Sequence, residues 1–334
     1  MYALFRSRPG LGLLAGLGLL VLAFGISLAS GLQAIPIGTV LEALTAFDGS
    51  PAHLVVRSIR LPRTLIAMAV GGCLGVAGTL TQALTRNPLA APGTLGINAG
   101  ATLAVAAGLY LLGTPSLHTL AWLAFLGAAA AAGAVYALAN LGRGGVTPLR
   151  LTLAGAAMAG FLTALTQGVL VASERTLDEI RLWLAGSVAG RDPEVLRGLL
   201  PYMLVGLALA LGLGRPLNAL SLGEEVARGL GQRTGWVKAA GAAAVVLLAG
   251  SAVAAAGPIG FLGLAVPHLS RWIVGPDYRW VLPYSGVLGA ILLILADVGA
   301  RLIIRPGEAP VGVVTALLGV PFFIALARRE VGRR

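Results

Sequence analysis

The chain has 334 residues, 57% of them hydrophobic and only 11% charged, with 48 glycines and a mean hydropathy of +0.89. Soluble domains carry about 25% charged residues, so water-soluble enzymes and disordered tails are excluded and an integral membrane protein is implied. The single cysteine, Cys73, rules out an internal disulfide and a cysteine-based metal cluster.

About 20 consecutive apolar residues cross a bilayer, and stretches of that kind predict ten helices in chain order. The first covers 11–29 and the second 64–85. The stretch from Asn87 to Gly142 has no charge and is divided by Gly113-Thr114-Pro115-Ser116 into the third and fourth. The fifth and sixth, 151–172 and 198–214, flank a polar segment, 173–194, expected to face water. The seventh and eighth share 239–270 and break at Gly257-Pro258; the ninth covers 280–300 and the tenth 309–327. The expected architecture is an all-α bundle over 1–334, a single transmembrane domain.

Ten passes put both termini on one side, and the basic residues then sort unevenly. Of 24 Lys and Arg, 15 fall on the terminal side, among them Arg6, Arg8, Arg86, Arg143, Arg150, Arg333 and Arg334. Positive charge collects in cytoplasmic loops, so both termini are expected in the cytoplasm. The net charge of +11 becomes a topology signal and gives no support to a nucleic-acid partner.

Several chemistries lack their residues. A P-loop needs Gly-x-x-x-x-Gly-Lys-Ser/Thr to cradle phosphate, and the only lysine, Lys238, stands in Trp236-Val237-Lys238-Ala239. His53, His118 and His268 are far apart and without carboxylates at ligand spacing, so no metal site is expected. The one carboxylate inside a span is Asp297, four residues before Arg301. It reads either as an i,i+4 ion pair or as the proton carrier of an ion-coupled secondary transporter. A membrane-embedded enzyme finds no converging catalytic groups.

Four motifs in order carry a resemblance: RLPRT (60–64) with QALTRNPLAAPGTLGINAGA (82–101), GEEVARGLG (223–231), GPIGFLGLAVPH (257–268) and PGEAPVGVVTALLG (306–319). Together they resemble the FecCD-type permeases of binding-protein-dependent ABC importers for iron siderophores, haem and cobalamin. RLWLAGSVAG (181–190) adds likeness to the siderophore branch. The resemblance implies a non-enzymatic permease of the bacterial inner membrane, present as a homodimer or paired with a second permease. Two cytoplasmic ATPases that bind ATP and Mg, an extracytoplasmic binding protein and surrounding lipid would be its partners.

Site roles follow from the same resemblance. The segment 218–238 reads as a short amphipathic helix pair. Leu222, Gly223, Glu224, Glu225, Val226, Ala227, Arg228, Leu230 and Gly231 would dock in the ATPases. Arg60, Arg63 and Arg301 would receive acidic side chains of the binding protein, as charge-assisted arginine bonds do, or would anchor helix ends. The cytoplasmic gate would be Asn87, Pro88 and Leu89, together with Thr147 and Pro148, which replace the small hydroxyl pair of the cobalamin permease. Gln82 and Asn98, polar within apolar spans, either line the pathway or bond helix to helix.

Overall fold

The computed structural model describes residues 8–31, 33–141, 146–304 and 307–331. Arg6, Arg143, Pro306, Arg333 and Arg334, which enter the charge pattern or the last motif, lie outside them. Among the described residues every regular element is helical: α1 (Pro9–Ala29), α2 (Ile37–Thr45), α3 (Pro51–Val55), a π-helical turn (Val56–Arg60) leading into α4 (Leu61–Thr85), a 3-10 turn (Pro92–Leu95), α5 (Ile97–Leu112), α6 (Leu117–Asn140), α7 (Pro148–Ala172), α8 (Glu174–Leu184), α9 (Pro193–Gly212), α10 (Gly214–Ser221), α11 (Glu224–Gly229), α12 (Thr234–Ala256), α13 (Leu262–Val274), α14 (Tyr278–Ile303) and α15 (Val311–Val331).

Proline and small polar residues set many of these boundaries. Pro148 and Pro193 occupy first turns, where a missing N–H costs nothing. The side chains of Ser116, Thr147, Ser173, Asp192 and Asp277 accept the free N–H groups of the helices they precede.

Helix α4 is the centre of the bundle, packed against α12, α13 and α14. Small residues let the backbones meet, the usual way membrane helices gain contact without a hydrophobic driving force. A Cβ on Gly75 would lie 2.2 Å from the Ser285 carbonyl oxygen, and one on Gly78 would lie 2.0 Å from that of Gly263. The apolar core runs from Ala23 on α1 to Val314 on α15. Leucines of α1, α7 and α9 point outward, where lipid would cover them.

All ten expected segments are helical, but not equally long. Among the described residues seven helices are long and apolar enough to cross a membrane, counting α3 to α4 as one; Ile97–Leu112 and the apolar part of α15, Val311–Pro321, are shorter. Helix α13 has 13 residues, about 20 Å at 1.5 Å per residue, against a hydrocarbon core of about 30 Å. The break after α12 consumes 257–261, and Gly275 ends α13 early. Two further departures are plain. Residues 37–60, unassigned from sequence, form α2, α3 and the π-helical turn. Lys238 lies in α12, because the helix begins at Thr234, so the short helix pair ends before it.

Candidate functional site

The residues singled out from sequence gather at the two ends of the bundle. At one end, Arg63 on α4 donates to both oxygens of Asp297 on α14, at 2.8 to 3.0 Å, and at 2.6 Å to Glu308 in the loop before α15. Arg301 binds the same Asp297 carboxylate and donates to the Ser27 and Ser30 carbonyls and the Ser27 hydroxyl. Arg60 is satisfied by the carbonyls of Leu28 and Ala29, both at 2.8 Å, and of Gln33. All three guanidiniums and Asp297 are buried. Burying a charge is tolerated when it is paired and fully hydrogen-bonded, and here the Asp297 carboxylate answers two arginines while Glu308 and main-chain carbonyls at and just after the end of α1 take the rest.

Two cavities open at this end, with Glu308 on the wall of each. One, of 690 Å³, is lined by Arg60, Arg63, Arg301, by Gly31, Gln33 and Ile35, and by parts of the 50–59 segment. The other, of 460 Å³, lies among Thr114, Trp183, Ser187, Arg191 and Pro310. Its walls are stitched by backbone: Ser187 N–H donates to Ala256 at 2.8 Å and Gly312 N–H to Gly186 at 3.0 Å. The polar segment before α9 is half inside, since Ile180 and Trp183 of α8 are buried.

At the opposite end, α10 and α11 form the expected amphipathic pair. Gly223 joins them at φ +127°, a conformation glycine adopts freely. Leu222, Val226 and Leu230 are exposed, as is Trp236 at the start of α12, while Ala227 is buried. Glu224 accepts from Arg228 at 2.7 Å, from Lys238 at 2.7 Å and from Thr234 at 3.3 Å. Burial alone would push its carboxyl up, but Lys238 and Arg228 hold it below the usual range. Asn218 on α10 donates at 2.6 Å to Asp277 and accepts from Tyr278 N–H, fixing the pair to the start of α14. The Arg279 guanidinium and Asn218 amide hold Asp277 down to about 2.

The two gate segments lie at the same end. Asn87 accepts from Leu89 N–H at 2.9 Å, closing a turn that leaves Pro88 and Leu89 exposed. Thr147 caps α7, whose first residue is Pro148. Each segment is tied to the helix-pair region: Arg86 donates to the Leu220 carbonyl at 3.0 Å and Lys238 to that of Val146 at 2.8 Å. Gln82 bonds α4 to α13, donating to the Leu264 carbonyl and accepting from Arg271. Asn98 is half-buried on α5, beside Gly93. Among the described residues no three His, Cys, Asp or Glu side chains converge as metal ligands would.

Sequence reasoning missed Glu308, Arg86 and the bond from Lys238 to Glu224. Each meets its partner through the fold rather than through helical spacing, and nothing in a single sequence pairs such positions.

Comparison with known proteins covers nearly the whole chain. A probable siderophore transport system permease of Bacillus subtilis (strain 168) is 53% identical over 290 residues, 87% of each chain. The ferric enterobactin transport system permease of Escherichia coli (strain K12) is 44% identical over 322 residues, 96% of this chain and 95% of that one. A solved metal-chelate type ABC transporter in an inward-facing conformation superposes with a TM-score of 0.82 at 30% identity, covering 95% of this chain and 98% of that one. The profile of the FecCD transport family matches residues 19–329, and this chain belongs to that family.

Proposed function

We propose that this chain is the membrane permease of a binding-protein-dependent ABC importer that carries a ferric siderophore across the cytoplasmic membrane. The observation that carries this reading is its 53% identity, over 87% of both chains, to a probable siderophore permease. In this reading the chain crosses the bilayer ten times, with both termini in the cytoplasm. It works as a homodimer with two ATPases, which bind ATP and Mg, below it and a chelate-loaded binding protein above.

The geometry of the two ends supports the division of labour. Leu222, Val226, Leu230 and Trp236 expose apolar anchors beside Glu225 and Arg228, a surface suited to an ATPase cleft. The 690 Å³ cavity brings three arginines and Glu308 to the other end. An acidic side chain entering it would meet net positive charge, which orients docking without making it irreversible. A pathway lined by Ala, Gly and Leu, the residues that dominate the spans, would select little; selection would rest with the binding protein. Asp297 is committed to two arginines, which argues against a proton-carrying role.

The test is iron uptake and ATP hydrolysis in proteoliposomes holding this chain with candidate ATPases, with and without binding protein, using ferric enterobactin, ferric citrate and a ferric hydroxamate as probes. Uptake that needs ATP, ATPases and loaded binding protein together is expected. Uptake driven by an ion gradient alone would overturn the reading.

A further inference from the structure

Lys238 is the only lysine in the chain, and it is 9% exposed. Its ammonium has three donors, and two go to elements far apart in sequence: Glu224 at 2.7 Å and the Val146 carbonyl at 2.8 Å. Glu224 is the first residue of α11, held also by Arg228 and Thr234. Val146 immediately precedes Thr147 and Pro148, where α7 starts. The stem crosses a space walled by Leu84, Tyr136, Leu151 and Ala242. Water has little room there to replace either bond, and a buried charged hydrogen bond is stronger for that. The base of the residue is fixed by α12, which is among the most buried helices.

From this geometry we propose that Lys238 is a strut linking α11 to the start of α7, so that a shift of the α10–α11 pair repositions the 146–148 turn. The proposal rests on the reading of that pair as the ATPase-docking element. It assigns a positioning role to a residue outside the docking surface and outside the gate. A bonded strut transmits movement because it is made or broken rather than stretched, which is the kind of two-state element that coupling between sites requires. The bond from Arg86 to Leu220 runs in parallel, from α10 to the 87–89 turn. Each link ends on a backbone carbonyl, of Val146 or Leu220, and the Lys238 link needs the Glu224 carboxylate at its other end.

The assembled importer in proteoliposomes, with ATPases, binding protein and the same three ferric chelates, tests this by reading iron imported per ATP hydrolysed. K238M is expected to keep stimulated hydrolysis within about twofold and to lose about tenfold in iron per ATP, the scale of one buried charged hydrogen bond. K238R, which retains donors for both acceptors, is expected to recover most of the loss. The charge swap K238E with E224K restores the ion pair but cannot donate from position 238 to the Val146 carbonyl, so it is expected to assemble and remain uncoupled. Wild-type coupling in K238M, or its return in the swap, would overturn the strut. So would failure of both to assemble, since Lys238 would then serve folding. Absence of ATP-driven uptake in the unaltered importer would instead sink the importer reading before any variant is compared.

Discussion

Arg63 and Asp297, 234 residues apart, meet through three hydrogen bonds in the interior of the bundle. Arg301 binds the same carboxylate from its own helix. Removing the shared anion would leave two buried guanidiniums facing each other. Asp297→Asn is therefore expected to cost about 3–5 kcal/mol, the usual penalty for breaking one side of a buried pair. Thermal unfolding of the solubilised chain measures it, and a variant as stable as the wild type would show that water or the neighbouring carbonyls suffice.

Glu308 holds the outer fork of Arg63 at 2.6 Å while its own side chain is one-third exposed. In the proposed docking it competes with a carboxylate of the binding protein for Arg63. Glu308→Gln is expected to tighten binding of the loaded binding protein by about fivefold, corresponding to the roughly 1 kcal/mol of a partly screened pair. Titration against the permease in lipid nanodiscs reads the change. Weaker binding would mean that Glu308 shapes the docking face instead of competing for it.

Gly78 meets the Gly263 carbonyl so closely that a Cβ would sit 2.0 Å from its oxygen. Backbone cannot swing aside as a side chain can, so Gly78→Ala must part α4 from α13, at about 1–3 kcal/mol. Gly133 on α6 has nothing within 4 Å of the same added atom, and Gly133→Ala is expected to be neutral or slightly stabilising, since glycine weakens a helix interior. Paired melting curves of the two variants compare them directly.

The Arg279 guanidinium and the Asn218 amide hold the Asp277 carboxyl down to about 2 in the folded protein, below its ordinary value of 3.8. A carboxyl whose folded value is depressed adds stability above the unfolded value and loses it as pH falls through the folded one. The attachment of α10 to α14 should thus be constant from neutrality down to about pH 4 and weaken below it. Amide hydrogen exchange over 214–221 is expected to stay slow at pH 5 in the wild type and to rise there in Asp277→Ala.

The bundle was legible in the sequence because membrane helices announce themselves by length and apolarity. The Gly113–Ser116 break and the Gly257–Pro258 break fall where composition indicated. The shortness of α13 follows from the second break, which leaves only about a dozen residues before 270; its bounds do not, since the helix starts at Leu262 and runs on to Val274, where Gly275 ends it. The ion pair of Asp297 with Arg301 follows from helical spacing; the third partner, Arg63, does not, since only the packing of α4 on α14 brings it there. Gln82 was expected either to line a pathway or to join helices, and its contacts with Leu264 and Arg271 are helix-joining. The alternating apolar and charged residues of 218–238 fall on α10, α11 and the start of α12; Lys238 was assigned to the helix pair and not to α12, because a charged residue near a helix start looks from sequence like loop.

The walls of the 460 Å³ cavity are held by Ser187 to Ala256 and Gly186 to Gly312, bonds made by main chain alone. Two of the joined residues must stay glycine: a Cβ on Gly186 would lie 2.4 Å from the Pro258 carbonyl oxygen, and one on Gly312 would lie 2.3 Å from that of Ala185. Thr114, on the same wall and outside these joints, can be exchanged for other residues while the frame stays assembled, whereas Arg191 belongs to the frame through its 2.9 Å bond to the Ser187 carbonyl. A frame of that kind lets the outward face vary in shape and charge while the bundle beneath it is unchanged.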